Sequence, residues 1–423
     1  MPRPDAEPRS KPSRQAWLML GCAFLAYLVS ATLMHSYAVF LVAFVGDFGW
    51  TRNETSLPYS VGQLVAGISA PLIGVMVDRL GPHRVMLIGG ALLTLGLVGS
   101  AFATALWQVV LLYGVAMTLG AVCLSMLVFV PLMSKLFAGQ RGRAMALMQS
   151  ANGLGRAVAV PVGQLLVSGI GWRMAYLVEA AAMALLVIPL AALFSRRRVD
   201  AVHAAVVPEA APRDGAPPPA PARQWRLAEA MRTREFWLLF FVYMCTSIGS
   251  FLVMLHQLAF AVDAGFDPLY AAAVFGTGAF LALPGVIITG IAADRIGREA
   301  AAVIAYGVSI VGVACALFID GPDQHFFLWL HACLFGVTWG ARGPAVMAKT
   351  ADLFTGPSLG TIVGVITIGS GIGAALGSWG AGWIFDNFGS YRLAFILSIA
   401  AYTCGAVAFW ALRRPRGGMG IVG

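Results

Sequence analysis

Charge is scarce in this sequence: Asp, Glu, Lys and Arg make up 11% of its 423 residues, against roughly 25% in an ordinary soluble domain. A chain of this length folded in water divides into two or three domains with charge-dense surfaces. Too few charges are present to cover such surfaces, which excludes a soluble enzyme. Cysteine is sparse as well. The six (Cys22, Cys123, Cys245, Cys315, Cys333 and Cys404) all fall in apolar stretches, without C-x-x-C or metal-ligand spacing, and read as small buried hydrophobes. No catalytic triad, metal cluster or glycine loop following a strand can be drawn, so no catalysis, cofactor or metal is expected.

Apolar length is what the chain has in excess. Hydrophobic residues make up 59% of it, and twelve runs are long enough to cross a bilayer as helices: 17–45, 56–77, 84–105, 106–134, 143–168, 172–194, 236–262, 268–293, 300–319, 326–348, 358–383 and 390–412. The cations orient them. With the N-terminus inside, 23 of the 28 Lys and Arg lie on the cytoplasmic side, three (Arg52, Arg173 and Arg392) lie outside, and Arg156 and Arg342 lie within spans. This asymmetry places both termini in the cytoplasm. It also accounts for the net charge of +9 without a nucleic-acid partner, which would need the cations gathered on one solvated face. Trp17, Trp50, Trp107, Trp172, Trp237 and Trp410 fall at span ends, as interfacial aromatics do.

The expected organisation is a cytoplasmic tail (1–16), a six-helix bundle (17–194), a basic Ala/Pro-rich cytoplasmic linker (195–235), a second six-helix bundle (236–412) and a cytoplasmic tail (413–423). The halves repeat each other. GVMVDRLG (74–81) matches GIAADRIG (290–297), AFVGDFGW (43–50) matches AFAVDAGF (259–266) and Tyr27 matches Tyr243, all at an offset of 216. Gly142, Gly153 and Gly155 recur as Gly360, Gly371 and Gly373 at an offset of 218. The fold class expected is an all-α polytopic membrane protein of two pseudo-symmetric six-helix bundles, an architecture that places a substrate site near the midplane.

The repeated G-x-x-x-D-R-x-G loop resembles the signature of the major facilitator superfamily. DFGWTR (47–52), GWRMAY (171–176), GARGP (340–344) and FDNFGSYRLAF (385–395) resemble, within it, bacterial relatives of the monocarboxylate transporters and oxalate–formate exchangers. The resemblance implies a multi-pass protein of the bacterial inner membrane that works by alternating access. It further implies that Gly74, Asp78, Arg79, Gly81 and Arg84, with Gly290, Asp294, Arg295, Gly297 and Arg298, form cytoplasmic gating turns. In such turns a carboxylate would be favoured by a facing helix N-terminus and by the neighbouring Arg84 or Arg298. The plain alternative is a turn that only satisfies topology.

The charges inside spans carry the functional argument, because a charged side chain there is costly and by default faces a protein interior or a wet cavity. At 100° per residue His331, Thr338, Arg342 and Lys349 share one narrow stripe. Gln149, Asn152, Arg156 and Gln164 form a second polar face, and Tyr243, Ser247, Ser250 and Gln257 a third. Cationic guanidinium with no neighbouring acid selects anions, and its planar fork suits carboxylate or phosphate. Arg342 is the expected anchor, the alternative being that it caps backbone carbonyls beside Gly340 and Gly343. Arg156 either joins it or pairs with Glu179, the one acid well inside a span. Pairing would leave one free cation and favour a monocarboxylate; otherwise two cations suit a divalent anion. His35 and His331 are titratable candidates, either hydrogen-bonded lining residues or proton carriers.

The function expected is secondary active transport of a small organic anion, foremost a monocarboxylate, by proton coupling or anion exchange. Efflux of amphipathic drugs by the same fold, or a transporter-derived ligand sensor, are the alternatives. The partners expected are the anion, the lipid bilayer and, with proton coupling, protons; one twelve-helix unit needs no second subunit.

Overall fold

The computed structural model describes residues 14–137, 141–192, 225–354 and 358–412, with the side chains of Asp78 and Asp294 among those left outside the description. The described residues are helical, and no strand occurs among them. The chain divides into two compact units: 1–50 with 57–219, and 51–56 with 220–423.

In the first unit α1 (Arg14–His35) and α2 (Tyr37–Phe48) are one span interrupted at Ser36. They are followed by α3 (Arg52–Leu80), whose residues 52–56 belong to the second unit, and α4 (Pro82–Ala101), and then by the segments Leu106–Val109, Val110–Met117 and Thr118–Cys123, the middle one wound as a wider π-helix. Next come α5 (Met126–Leu136), whose first turn is capped by Ser125, and α6 (Arg141–Ala182). In this unit α1 packs on α6, and α4 packs on α6 and on the 106–123 run.

The second unit opens with a turn of helix, Leu227–Ala230, whose flanking Trp225 packs edge-on against Phe354. The last residues of the expected linker are therefore ordered against the bundle. It continues with α7 (Arg234–Met254), the short α8 (Gln257–Asp263), α9 (Pro268–Ile296), α10 (Arg298–Ala316), α11 (His325–Leu353), α12 (Leu359–Phe388) and α13 (Arg392–Trp410). Start signals are local: Thr233 Oγ1 accepts from Phe236 N, and Asp267 caps α9 just before Pro268. In this unit α7 packs on α12 and α13, and α11 packs on α9 and α10.

Ten helices among the described residues are long and apolar enough to cross a membrane. Two features separate this number from the twelve apolar runs. The 42-residue α6 contains Gly171 at φ 78°, ψ 157°, a non-helical break that divides one continuous stretch. The 29-residue α11 is missing from the ten; it carries His331, Arg342 and Lys349, which lower its hydropathy.

The repeat is written in the backbone. Among the described residues the glycines with positive φ are Gly49, Gly81, Gly171, Gly265, Gly297 and Gly389. They form three pairs at the repeat offsets of 216, 216 and 218. Gly81 (φ 81°, ψ 155°) and Gly297 (φ 92°, ψ 151°) hold the same conformation at the two signature loops, one that L side chains resist. Close approach repeats too. A Cβ on Gly155 would stand 2.6 Å from the Leu28 carbonyl oxygen, and one on Gly373 would stand 2.3 Å from that of Met244, so bare glycine lets these helices touch backbone to backbone.

Candidate functional site

In the first unit α1, α3, the 106–123 run and α6 line an open cavity of about 200 Å³ whose polar wall includes Tyr27, His35, Tyr59, Gln63, Tyr113 and Asn152. Asn152 Nδ2 donates to Tyr27 Oη at 2.8 Å. One turn along α6, Arg156 is buried at 8% exposure, within electrostatic reach of His35 and Tyr59. His35 Nδ1 is buried without a hydrogen-bond partner. Asn152, Arg156 and His35 are therefore brought to one region, whereas Gln149 lies exposed. Tyr59, Gln63 and Tyr113 stand out in no sequence pattern. Tyr113 lies in the π-helical segment, where the extra residue per turn shifts the phase on which such patterns depend.

Glu179 is buried at 6% exposure. It is hydrogen-bonded with Ser36 and lies within electrostatic reach of Tyr113 and Tyr176.

The stripe on α11 forms as its phase requires, and its residues turn onto α10 of the same unit. His331 Nδ1 bonds the Gly312 carbonyl at 2.8 Å, and the ring packs against Phe275, Phe335 and Phe395. Thr338 Oγ1 meets Ser309 Oγ at 2.7 Å. Lys349, counted among cytoplasmic loop cations, is instead a buried helix residue whose Nζ meets Glu299 Oε1 at 2.5 Å. Arg342 is 2% exposed; its Nη1 donates to Ser309 Oγ at 2.7 Å and its guanidinium lies 4.4 Å from the Tyr402 ring centre. Its Nε and Nη2 have no hydrogen-bond partner, and no carboxylate pairs with it among the described residues. Neither backbone carbonyls nor an acid therefore account for this cation.

On α7 the predicted polar face divides. Ser247 Oγ meets Ser370 Oγ at 2.6 Å and Tyr243 is hydrogen-bonded with Ser370, but Ser250 turns to Tyr402. Gln257, half-buried, lies beyond the break at Leu255–His256, where a phase counted along one continuous helix no longer applies.

Of the residues expected to gate, Gly81 and Gly297 take the positive-φ turn conformations described above. Gly74 is half-buried, Gly290 is exposed, and Arg79, Arg84 and Arg295 are exposed. Arg298 reaches across to the end of α11, donating to the Ala348 carbonyl at 3.2 Å and pairing with Asp352. The Asp78 and Asp294 carboxylates lie outside the described side chains.

All three cations counted as outer charges are engaged; Arg392 pairs with Asp320. Arg52, 8% exposed, holds both oxygens of Asp263 at 2.8 and 3.0 Å, while Asp386 accepts from the Arg52 and Asn53 amides at 2.9 and 2.7 Å. Arg173 pairs with Asp47, which also accepts from the buried Trp172 indole at 2.7 Å.

An all-helical membrane chain of two like-built units, with buried cationic and polar groups deep in its spans, is a membrane transporter. The chain belongs to the Major Facilitator Superfamily, whose model matches residues 20–348. It is 25% identical over 394 residues to monocarboxylate transporter 13 of Rattus norvegicus, covering 92% of this chain and 87% of the relative. With monocarboxylate transporter 12 of the same organism it shares 24% over 400 residues, covering 90% and 82%. The crystal structure of the nucleoside transporter NupG shares the fold, with a TM-score of 0.73 at 13% identity over 95% of this chain and 99% of that one.

Proposed function

We propose that this protein is a secondary active transporter that carries a small monocarboxylate across a bacterial inner membrane by alternating access. In this reading it has twelve spans, Gly171 separating the fifth from the sixth and α11 forming the tenth, with both termini cytoplasmic. The observation that carries the reading is Arg342: a buried guanidinium with no carboxylate partner among the described residues and two unbonded nitrogens. Such a group is strongly disfavoured unless an anion completes it. A carboxylate accepting from Nε and Nη2 would form the two-point contact for which guanidinium is shaped. The likeness to monocarboxylate transporters 12 and 13 supports the same substrate class. Arg156, Asn152 and His35 then supply polar lining in the first unit, and the Gly81 and Gly297 turns the cytoplasmic gating elements.

The test is uptake of labelled lactate, pyruvate and oxalate into proteoliposomes, with and without an imposed pH gradient. Saturable uptake of a monocarboxylate supports the reading. Movement of a lipophilic cation with no carboxylate movement overturns it in favour of drug efflux.

A further inference from the structure

The open cavity of the first unit has the size and lining of a site for one aromatic ring. Its volume is about 200 Å³, and a cavity of about 150 Å³ already holds benzene. Drug-sized ligands need about 300 Å³ or more, which sets the scale here at one ring with its substituents. Much of the wall is apolar or aromatic: Ala31, Met34, Ala66 and Val122, together with Tyr27 and Tyr59.

Much of the polar wall is already committed within the protein. Tyr113 Oη donates to the Met34 carbonyl at 2.9 Å, Thr118 Oγ1 to the Tyr113 carbonyl at 3.1 Å and Ser125 Oγ to the Val122 carbonyl at 2.8 Å. The Tyr27 hydroxyl accepts from Asn152. An acid the size of lactate, all hydroxyl and carboxylate on three carbons, would give up water contacts here for few replacements. A ring acid instead gains from burying its ring against apolar and aromatic side chains.

His35 is not committed in this way. It lines the cavity, and its ring makes no hydrogen bond with any described residue. Nδ1 is buried, which leaves Nε2 as the nitrogen open to a ligand. A neutral imidazole offers one donor and one acceptor, so a hydroxyl on the ring has a partner whichever tautomer is present. Arg156, one turn beyond Asn152 on α6, brings positive charge within electrostatic reach of His35 and Tyr59, which favours an acid over a neutral ring.

We propose that the carrier's preferred substrate is a single-ring aromatic monocarboxylate bearing a hydroxyl, with 4-hydroxybenzoate as the probe, its ring in this cavity and its hydroxyl on His35 Nε2. This rests on the transport reading above and narrows its substrate class.

Binding to the purified protein tests it first. By calorimetry 4-hydroxybenzoate should bind at least about tenfold more tightly than lactate; equal or weaker binding overturns the substrate class. His35→Phe keeps a planar ring, and because Nδ1 has no partner to strand, the variant should fold as the native protein does. It should lower the preference for 4-hydroxybenzoate over benzoate about tenfold; an unchanged preference overturns the role of His35. Ala121→Leu adds bulk to the same wall and should weaken both ring acids; unchanged binding of both overturns the placement of the ring. In proteoliposomes 4-hydroxybenzoate should inhibit uptake of labelled lactate at concentrations at least about tenfold below those of unlabelled lactate, and inhibition no stronger than lactate's own overturns the preference. Failure of the native protein to move any carboxylate defeats the transport reading instead, and the binding results then decide the cavity's ligand on their own.

Discussion

Asn152 donates a 2.8 Å hydrogen bond to Tyr27 in the first unit, and the repeat offsets of 218 and 216 convert that pair into Ser370 and Tyr243, which are hydrogen-bonded in the second. The repeated structure thus includes a polar contact between the first and fifth helices of each unit. The ionisable groups break the repeat. Arg156, Glu179 and Arg342 fall on Ala374, Ser398 and Leu124 at offsets of 218 or 219. Like backbones therefore carry unlike chemistry, a cavity and buried acid in one unit and an unpaired cation in the other.

Asn152→Ala removes one neutral hydrogen bond in the cavity wall, worth about 1 kcal/mol. The expected result is roughly a fivefold rise in KM for lactate uptake, with Tyr27→Phe giving a similar rise.

Gly373→Ala places a methyl group 2.3 Å from the Met244 carbonyl, and Gly155→Ala places one 2.6 Å from that of Leu28. Each should cost about 1–3 kcal/mol, read as a lower melting temperature in detergent, with Gly373→Ala the worse of the two.

Gly81→Ala and Gly297→Ala force an L side chain into a positive-φ turn, at a cost of about 1–2 kcal/mol each. Because the turns are equivalent and distant in sequence, their effects on thermal unfolding should add within about 0.5 kcal/mol.

Lys349→Met leaves the Glu299 carboxylate without its 2.5 Å partner, a loss of about 3–5 kcal/mol. The double variant Lys349→Met/Glu299→Met should recover most of that melting temperature; a double variant no better than the single would show that the ion pair does not stabilise the bundle.

The fold was legible because bilayer burial writes long apolar runs, and because paired glycines mark the same turns twice. The stripe of His331, Thr338, Arg342 and Lys349 was legible for the same reason: a straight helix keeps its phase. Which neighbour a stripe meets is not a property of one helix. Ser309 on α10 and Tyr402 on α13 come to Arg342 only through packing. At Gln257, beyond the break after α7, a phase counted along one continuous helix no longer applies. Of the two readings open for Arg156 and Glu179, helix phase could favour neither; the hydrogen bond of Glu179 with Ser36 comes only from packing against α1 and α2.

If Arg342 awaits an anion, replacing it by Met separates its cost to the empty protein from its contribution to binding. An unpaired buried cation destabilises the empty protein, so Arg342→Met should melt at a temperature equal to or above native. The same variant should bind lactate at least about tenfold more weakly by calorimetry, equivalent to losing about 1.4 kcal/mol. Unchanged lactate affinity in a well-folded Arg342→Met protein would contradict the account.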